Sequence, residues 1–399
     1  MLASPERSRS MARRIIPDGP EPTYDRVASG YAVFHSDEPF PCESGGALPE
    51  LTLAYETWGK RSRARDNTVL LHTGLSASSH ARSHARNRAP GWWEQFIGPG
   101  APLDTDRYHV VCTNLLGGCF GSSGPASRNP ETGEPYALDF PIVTVADMVR
   151  AQLRLLDHLG IERLHASIGA SLGGMQSLQL AALAPERVQR IVSISATAQS
   201  SPQSIALRFV QRQAVMNDPD WREGRYYGIA FPHRGQKVAR EIGTITYRSG
   251  PEWEKRFGRE RSGAGPPRLG EDFQVESYLV HQGEKFCLQY DANSYLYISK
   301  AMDLFDLLAP DARGTAPIER IGCPSLVIGV RSDLLFPVWQ QRELARLLEK
   351  NGADVRYLEL DAPYGHDTFL IERDRIGTAI ADHLDEDEQD VRALTSRAS

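Results

Sequence analysis

The sequence predicts an α/β fold: a mostly parallel sheet interrupted by an inserted helical domain. Three observations predict it. Short, continuous apolar runs of strand length alternate with segments of helical periodicity in the first half. The rhythm stops near Ala196 and returns at Pro324. Helical or irregular sequence fills the interval.

Taken in order, Leu51 to Thr57 (LTLAYET) alternates apolar and polar residues like a strand with one wet face. Thr68 to His72 and Tyr108 to Thr113 are continuous apolar runs suited to strands covered on both faces. Val145 to Leu159 carries Met148, Leu153, Leu155, Leu156 and Leu159 at helical spacing and ends at Gly160, the residue type expected just past a helix. Leu164 to Ile168 reads as a strand, Leu172 to Ala184 as a helix stopped before Pro185, and Val188 to Ile194 as a strand. This βαβ rhythm implies parallel pairing. It resumes with a strand at Pro324 to Val330, a helix from Trp339 to Lys350, a strand at Val355 to Leu360 and a helix from Asp367 to Leu384. The expected organisation is a lead-in over 1–44, a core over 45–196 and 322–385, a helical lid over 197–321 and a polar tail over 386–399. The lid includes the Gly/Pro-bearing stretch Gly258 to Gly270, and the acidic LDEDEQD run after His383 reads as a solvated end.

Composition narrows the function classes. The 399 residues carry a formal charge of −6, with 41% hydrophobic and 24% charged residues, which is ordinary for a folded globular chain and excludes disorder as the main state. Basic residues are scattered rather than striped, so neither nucleic acid nor an anionic membrane surface is an expected partner. Cys42, Cys112, Cys119, Cys287 and Cys323 are odd in number and form no C-x-x-C pair, which suggests neither a zinc site nor a disulfide framework. No apolar run reaches the ~18–20 residues of a membrane span. The Arg/Ser-bearing N-terminus lacks the apolar core of a secretory signal and reads as a cytosolic terminus rather than a transit peptide, so a cytoplasmic location is expected.

The sharpest chemical signal is Gly169-Ala170-Ser171-Leu172-Gly173, a G-x-S-x-G between a predicted strand and a predicted helix. A serine on such a tight turn projects its hydroxyl, and the small flanking residues let backbone approach. The hydroxyl is a weak nucleophile that needs a base, and the base needs an orienting carboxylate. In the α/β-hydrolase fold these follow in the order Ser, Asp, His. Asp333 directly follows the strand PSLVIGV, and His366 lies between the last strand and the last helix. Seen alone, Asp333 could cap a helix and His366 could be a loop histidine. Their order and their placement at strand ends argue for a triad. His158, His165, His233 and His383 read as surface or structural histidines, and none of these four forms an H-x-x-x-H pair with another. The strand ending at His72 leads into Thr73-Gly74-Leu75, where this fold places one backbone N–H of an oxyanion hole; Gly74 and Leu75 are the candidates, and Leu172 supplies the second donor.

Several longer strings carry a resemblance. Pro90-Gly91-Trp92-Trp93, Ile97-Gly98-Pro99-Gly100, Asp104-Thr105-Asp106-Arg107-Tyr108, Asn114-Leu115-Leu116-Gly117-Gly118-Cys119, Gly124-Pro125, Asp147-Met148-Val149, Gly173-Gly174-Met175-Gln176 and Thr246-Tyr247-Arg248-Ser249 closely resemble the homoserine O-acetyltransferase family of α/β-hydrolases. The resemblance runs from about 45 to 385. It implies acyl transfer from acyl-CoA to an amino-acid hydroxyl through an acyl-serine, commonly by a homodimer. Ser171 is then the nucleophile, Asp333 the orienter and His366 the base. Arg240 matches the family's substrate-binding arginine, and Asp367 the acidic residue after the histidine. A guanidinium can grip an α-carboxylate and a carboxylate can hold an ammonium group.

One departure bears on the acceptor. Where homoserine-acylating members carry a string like H-A-L-T-G-D-S-H, this chain has His72-Thr73-Gly74-Leu75-Ser76-Ala77-Ser78-Ser79-His80, which is similar to the serine-acylating branch. Ser76, Ala77, Ser78 and Ser79 are therefore candidate specificity residues. The discrimination from one methylene is about 1–3 kcal/mol, so leakage to homoserine is expected. A succinyl group needs a cation for its distal carboxylate. Arg331 is the candidate, although succinyl-transferring homoserine relatives carry their arginine where this chain has Leu335. The resemblance further implies succinyl transfer in bacterial serine-type members and acetyl transfer in fungal ones. The expectation is a ping-pong transfer of succinyl from succinyl-CoA to L-serine, supplying cysteine synthesis, with acyl-CoA as co-substrate and no metal or other cofactor. Alternatives are homoserine or serine O-acetyltransfer from acetyl-CoA, a carboxylester hydrolase, and a non-catalytic α/β domain.

Overall fold

Eight strands form one sheet in the computed structural model, which describes residues 30–396, with side chains described through 385. The expectations for the N-terminal signal lie outside the described residues. The strands are β1 (Ala32–Ser36), β2 (Leu51–Trp58), β3 (Thr68–His72), β4 (His109–Thr113), β5 (Ala166–Ala170), β6 (Ile191–Ile194), β7 (Ser325–Val330) and β8 (Val355–Leu360). Their spatial order is β1-β2-β4-β3-β5-β6-β7-β8. β1, β2 and β4 pair antiparallel, and every other pairing in the sheet is parallel. The all-apolar runs became central strands: every residue of β3, β5, β6 and β7 is buried.

The helices are α1 (Val145–His158), α2 (Leu172–Leu183), α3 (Pro202–Met216), α4 (His233–Tyr247), α5 (Gly250–Phe257), α6 (Gln274–Cys287), α7 (Ala292–Asp303), α8 (Val338–Lys350), α9 (Thr368–Ile371) and α10 (Arg373–Ser396). Thr144 starts α1 with a capping box, its hydroxyl accepting the Asp147 N–H at 3.1 Å while Asp147 accepts the Thr144 N–H at 2.9 Å. One face of the sheet buries α1, α2 and α8 residues such as Met148, Leu155, Met175, Leu178 and Leu344. The other buries Trp93, Phe96 and the α10 residues Ile376, Ile380 and Leu384. Helices α3 to α7 all fall between the end of β6 and the start of β7.

The structure corrects several boundaries. The sheet reaches into the expected lead-in, because β1 pairs with β2; only Phe34 of its five residues is buried, so the sequence lacked a clear alternation. β5 starts at Ala166 rather than Leu164, whose backbone makes an isolated bridge to Val188, and β6 starts at Ile191 rather than Val188. The single helix expected from Asp367 is a 3₁₀ turn at Gly365–Asp367 followed by α9 and α10, and α10 carries the expected tail in helix to Ser396. No helix among the described residues is long and apolar enough to cross a membrane.

Candidate active site

Ser171 sits between the last residue of β5 and the first of α2 with φ 58° and ψ −125°, a left-handed conformation costly for any residue with a side chain. Its backbone is fixed there: its N–H donates to Ile194 O at 2.9 Å and its C=O accepts the Met175 N–H at 3.1 Å. The neighbours must be glycine for lack of room. A Cβ on Gly169 would lie 2.1 Å from the Gly173 backbone, and one on Gly173 would lie 2.5 Å from His72 O. The turn thus packs against the end of β3.

Asp333 lies in the loop between β7 and α8, 3% exposed. Its Oδ1 accepts the N–H groups of Leu335 and Phe336, both at 2.9 Å, and its Oδ2 accepts His366 Nδ1–H at 2.7 Å. That bond leaves His366 Nε2 as the nitrogen available for proton transfer. The imidazole stacks on Phe336 with centroids 5.3 Å apart and meets the edge of Phe369 at 5.5 Å. Burial alone would lower its pKa, but the Asp333 charge and hydrogen bond, with the Asp367 charge, hold it above the ordinary 6.5. Gly365 has φ 62°, and a Cβ there would lie 2.7 Å from Tyr247 O, so the turn presenting His366 also requires glycine.

Ser171, His366, Gly74, Leu75, Ser76, Ala77, Arg240, Asp367 and Leu335 line one cavity of about 470 Å³. Leu172 is the first residue of α2, so its N–H is one that has no carbonyl partner within the helix. Arg240 enters from α4 with its guanidinium carbon 5.2 Å from the Tyr247 ring centroid and 4.8 Å from that of Phe286. Its Nε and Nη1 are buried and make no hydrogen bond among the described residues. Asp367 faces Arg248 at 3.4 Å, and burial raises its pKa despite the nearby Arg248, His366 and Arg240 charges.

Three of the candidate residues are placed elsewhere. Arg331 is turned away from the cavity onto β8, where its Nε lies 2.6 Å from Glu359 and its Nη1 3.5 Å from Asp361. Its side chain is 57% exposed, so it is not an acyl-group contact. Ser78 and Ser79 are buried in the protein rather than lining the cavity. The Ser79 N–H donates to Asn114 Oδ1, and Ser78 O accepts Trp92 Nε1–H at 3.0 Å, so both brace the loop whose Ser76 and Ala77 form the wall.

Sequence reasoning also missed Arg208, which lines the same cavity from α3 and is 3% exposed. Its Nε bonds Asp303 Oδ1 at 2.6 Å and its Nη2 the Ser200 hydroxyl at 2.9 Å, while its buried Nη1 makes no hydrogen bond among the described residues. No motif marks it; what fixes it is a carboxylate far along the chain.

Glu56, His80 and His84 bring three possible metal-ligand atoms within 4.8 Å of one another, and His80 and His84 form an H-x-x-x-H pair that the sequence reading passed over. The hydrogen bonds place protons on both imidazoles. His84 Nδ1 accepts the Arg86 N–H at 3.2 Å, so its Nε2 carries the proton directed at Glu56, 3.0 Å away. His80 Nε2 donates to Ala89 O at 2.7 Å, and its Nδ1 lies 2.9 Å from Glu56. The group ties the segment that follows Gly74 to Glu56 of β2.

Residues 67–372 match a family model described as the alpha/beta hydrolase fold. The chain is 49% identical to a serine O-succinyltransferase of Emericella nidulans, over 96% of this chain and 86% of the relative. It is 46% identical to a homoserine O-acetyltransferase of Moorella thermoacetica, over 88% and 95% respectively. Among solved structures, the homoserine O-acetyltransferase from Bacillus anthracis superposes with a TM-score of 0.82 at 28% identity, covering 90% of this chain and 98% of that one. The Emericella relative carries a succinyltransferase name, which overturns the expected division between bacterial succinyl and fungal acetyl transfer.

Proposed function

The chain belongs to the α/β-hydrolase superfamily and, within it, to the homoserine O-acetyltransferase family of amino-acid O-acyltransferases; from that premise we propose that it transfers succinyl from succinyl-CoA to the hydroxyl of L-serine through an acyl-Ser171 intermediate. The product, O-succinyl-L-serine, is an activated serine for sulfide addition in cysteine synthesis. His366 removes the Ser171 proton, the hydroxyl oxygen attacks the thioester carbonyl, and the Leu75 and Leu172 N–H groups stabilise the tetrahedral oxyanion. His366 returns its proton to the leaving thiolate, and CoA departs. The serine hydroxyl then attacks the acyl-enzyme with His366 again as base. Arg240 holds the α-carboxylate and Asp367 the ammonium group, while the helical insertion restricts water. Every proton moves through side chains, so the scheme needs acyl-CoA as co-substrate and no resident cofactor. A homodimer belongs to the same reading. Support for it comes from exposed apolar residues on the packed pair α3 and α4: Phe209, Val210, Val238 and Ile245.

One observation carries the succinyl reading: Arg208, a buried cation whose Nη1 makes no hydrogen bond among the described residues, lines the cavity that holds Ser171. A distal carboxylate is the acyl feature that needs such a donor, and acetyl has none. Arg208→Leu is expected to lower kcat/KM for succinyl-CoA by roughly 10²–10³-fold, as loss of a buried charge partner does, while acetyl-CoA turnover stays within a few-fold. Equal losses with both donors would overturn the assignment. Wild-type kcat/KM for serine and homoserine with each acyl-CoA tests the acceptor; a clear homoserine preference would move the chain to the methionine-type reaction.

The His366 shift gives a pH prediction. The base must be unprotonated, so kcat is expected to rise with pH through a value above 6.5. The raised folded-state pKa also means that the native state holds this proton more tightly than the unfolded chain. Its stabilisation is complete below about 6.5 and is lost as pH rises through the folded value. The Tm advantage of wild type over His366→Gln should therefore shrink across the window in which activity grows.

A further inference from the structure

We infer that Tyr290, carried by the helical insertion, is a positioning residue for the oxyanion hole. Its hydroxyl fixes the loop that presents the Leu75 N–H, so the hole is complete only while the insertion is seated. The inference rests on the acyl-serine reading above and adds a residue outside the triad.

The peptide bond between Gly74 and Leu75 carries the donor, and it is held from both sides. On the core side, Thr73 O accepts Gln176 Nε2–H at 3.0 Å from α2. On the other side, Leu75 O accepts the Tyr290 hydroxyl at 2.7 Å. Gly74 between them has nothing within 4 Å of where a Cβ would stand, so side-chain packing does not hold it. Removing either flanking bond therefore frees the peptide to rotate, and a donor misplaced by about 1 Å loses much of its value to a developing oxyanion.

Tyr290 is built to hold its end. It lies between α6 and α7, lines the cavity and is 2% exposed. Its carbonyl accepts Gln236 Nε2–H at 2.8 Å. Its ring stacks on Phe286 at 5.0 Å and 14° and meets Phe120 edge-on at 5.5 Å. The next residue, Asp291, is fully buried and accepts the Tyr227 hydroxyl at 3.1 Å, the Ser294 N–H at 2.8 Å and the Tyr226 hydroxyl. Phe286 also carries the Arg240 guanidinium 4.8 Å from its centroid, so the aromatic pair that aims Tyr290 supports the acceptor-binding arginine as well. The insertion therefore carries both the arginine of the acceptor site and the hydroxyl that braces the oxyanion-hole loop of the core.

Tyr290→Phe keeps the ring and removes only the hydroxyl. Acylation of Ser171 by p-nitrophenyl acetate isolates the effect, because that neutral acyl group uses the triad and the hole but neither Arg208 nor Arg240. Rates are referred to active sites counted by phosphonylation of Ser171 with a fluorophosphonate, detected by mass, so partial unfolding does not enter. The expected result is a roughly 10- to 100-fold slower acylation step with an unchanged KM for the amino-acid acceptor. Acylation within threefold of wild type, or a loss expressed only in KM, would overturn the inference. A wild-type enzyme that cleaves the ester but acylates neither serine nor homoserine would sink the proposed function alone, leaving the Tyr290 comparison readable.

Discussion

Replacing Asp333 by asparagine is expected to lower kcat by about four orders of magnitude without unfolding the protein. The size follows from the direction of three hydrogen bonds. Asp333 Oδ1 accepts two backbone N–H groups, from Leu335 and Phe336, each at 2.9 Å. An asparagine must therefore keep its oxygen on that side, because an NH₂ group there would face two donors. Its NH₂ is then forced toward His366 Nδ1, which must accept rather than donate. The proton moves to Nε2, and the ring presents a donor where Ser171 needs a base. The two backbone bonds survive and the side-chain volume is nearly unchanged, so Tm should shift little. The measurement is single-turnover acylation by succinyl-CoA together with a melting curve. A loss below tenfold would mean that the Asp333 carboxylate does not set the working tautomer.

That argument was legible in the sequence only in part. Ser171, Asp333 and His366 could be placed because each follows a recognisable strand, and a strand's end is a position that local sequence specifies. Arg331 shows where the same reasoning fails. It also follows a strand, but the direction of its side chain depends on which carboxylates the neighbouring strand presents, and β8 offers Glu359 beside it. Arg208 fails in the opposite sense. On α3 it looks like any helix-surface arginine, and it becomes a buried cavity residue because Asp303 of α7 lies 2.6 Å from its Nε. Tyr290 depends on a backbone carbonyl more than two hundred positions away. The sheet was readable where strands are buried on both faces and was missed at β1, where a single side chain, Phe34, is buried. Pairing across long sequence separations sets these features, and local periodicity does not encode it.

The largest loss of activity should come with a gain in stability. Ser171→Gly is expected to abolish acyl transfer, lowering kcat by about 10⁶-fold, as removal of a serine nucleophile does, while raising Tm. Ser171 is held at φ 58° and ψ −125° by backbone bonds to Ile194 O and from the Met175 N–H, neither of which involves its side chain. Glycine keeps both bonds and removes the Cβ that makes the conformation costly, a strain on the order of 1–3 kcal/mol. The unfolded chain gains freedom with glycine, which offsets roughly 0.5–1 kcal/mol. The net stabilisation is about 1 kcal/mol, a rise of roughly 1–3 °C for a chain of this size. Ser171→Ala separates the two effects, because it removes the same nucleophile and retains the strained Cβ: it should match the glycine variant in lost activity and wild type in Tm. Equal melting temperatures for the glycine and alanine variants would mean that the strain is no larger than the roughly 0.5–1 kcal/mol that glycine's freedom offsets. A lower melting temperature for the glycine variant would mean that the turn stores almost none, the positive φ of Ser171 then being a consequence of glycine packing at Gly169 and Gly173 rather than a cost carried for the exposed hydroxyl.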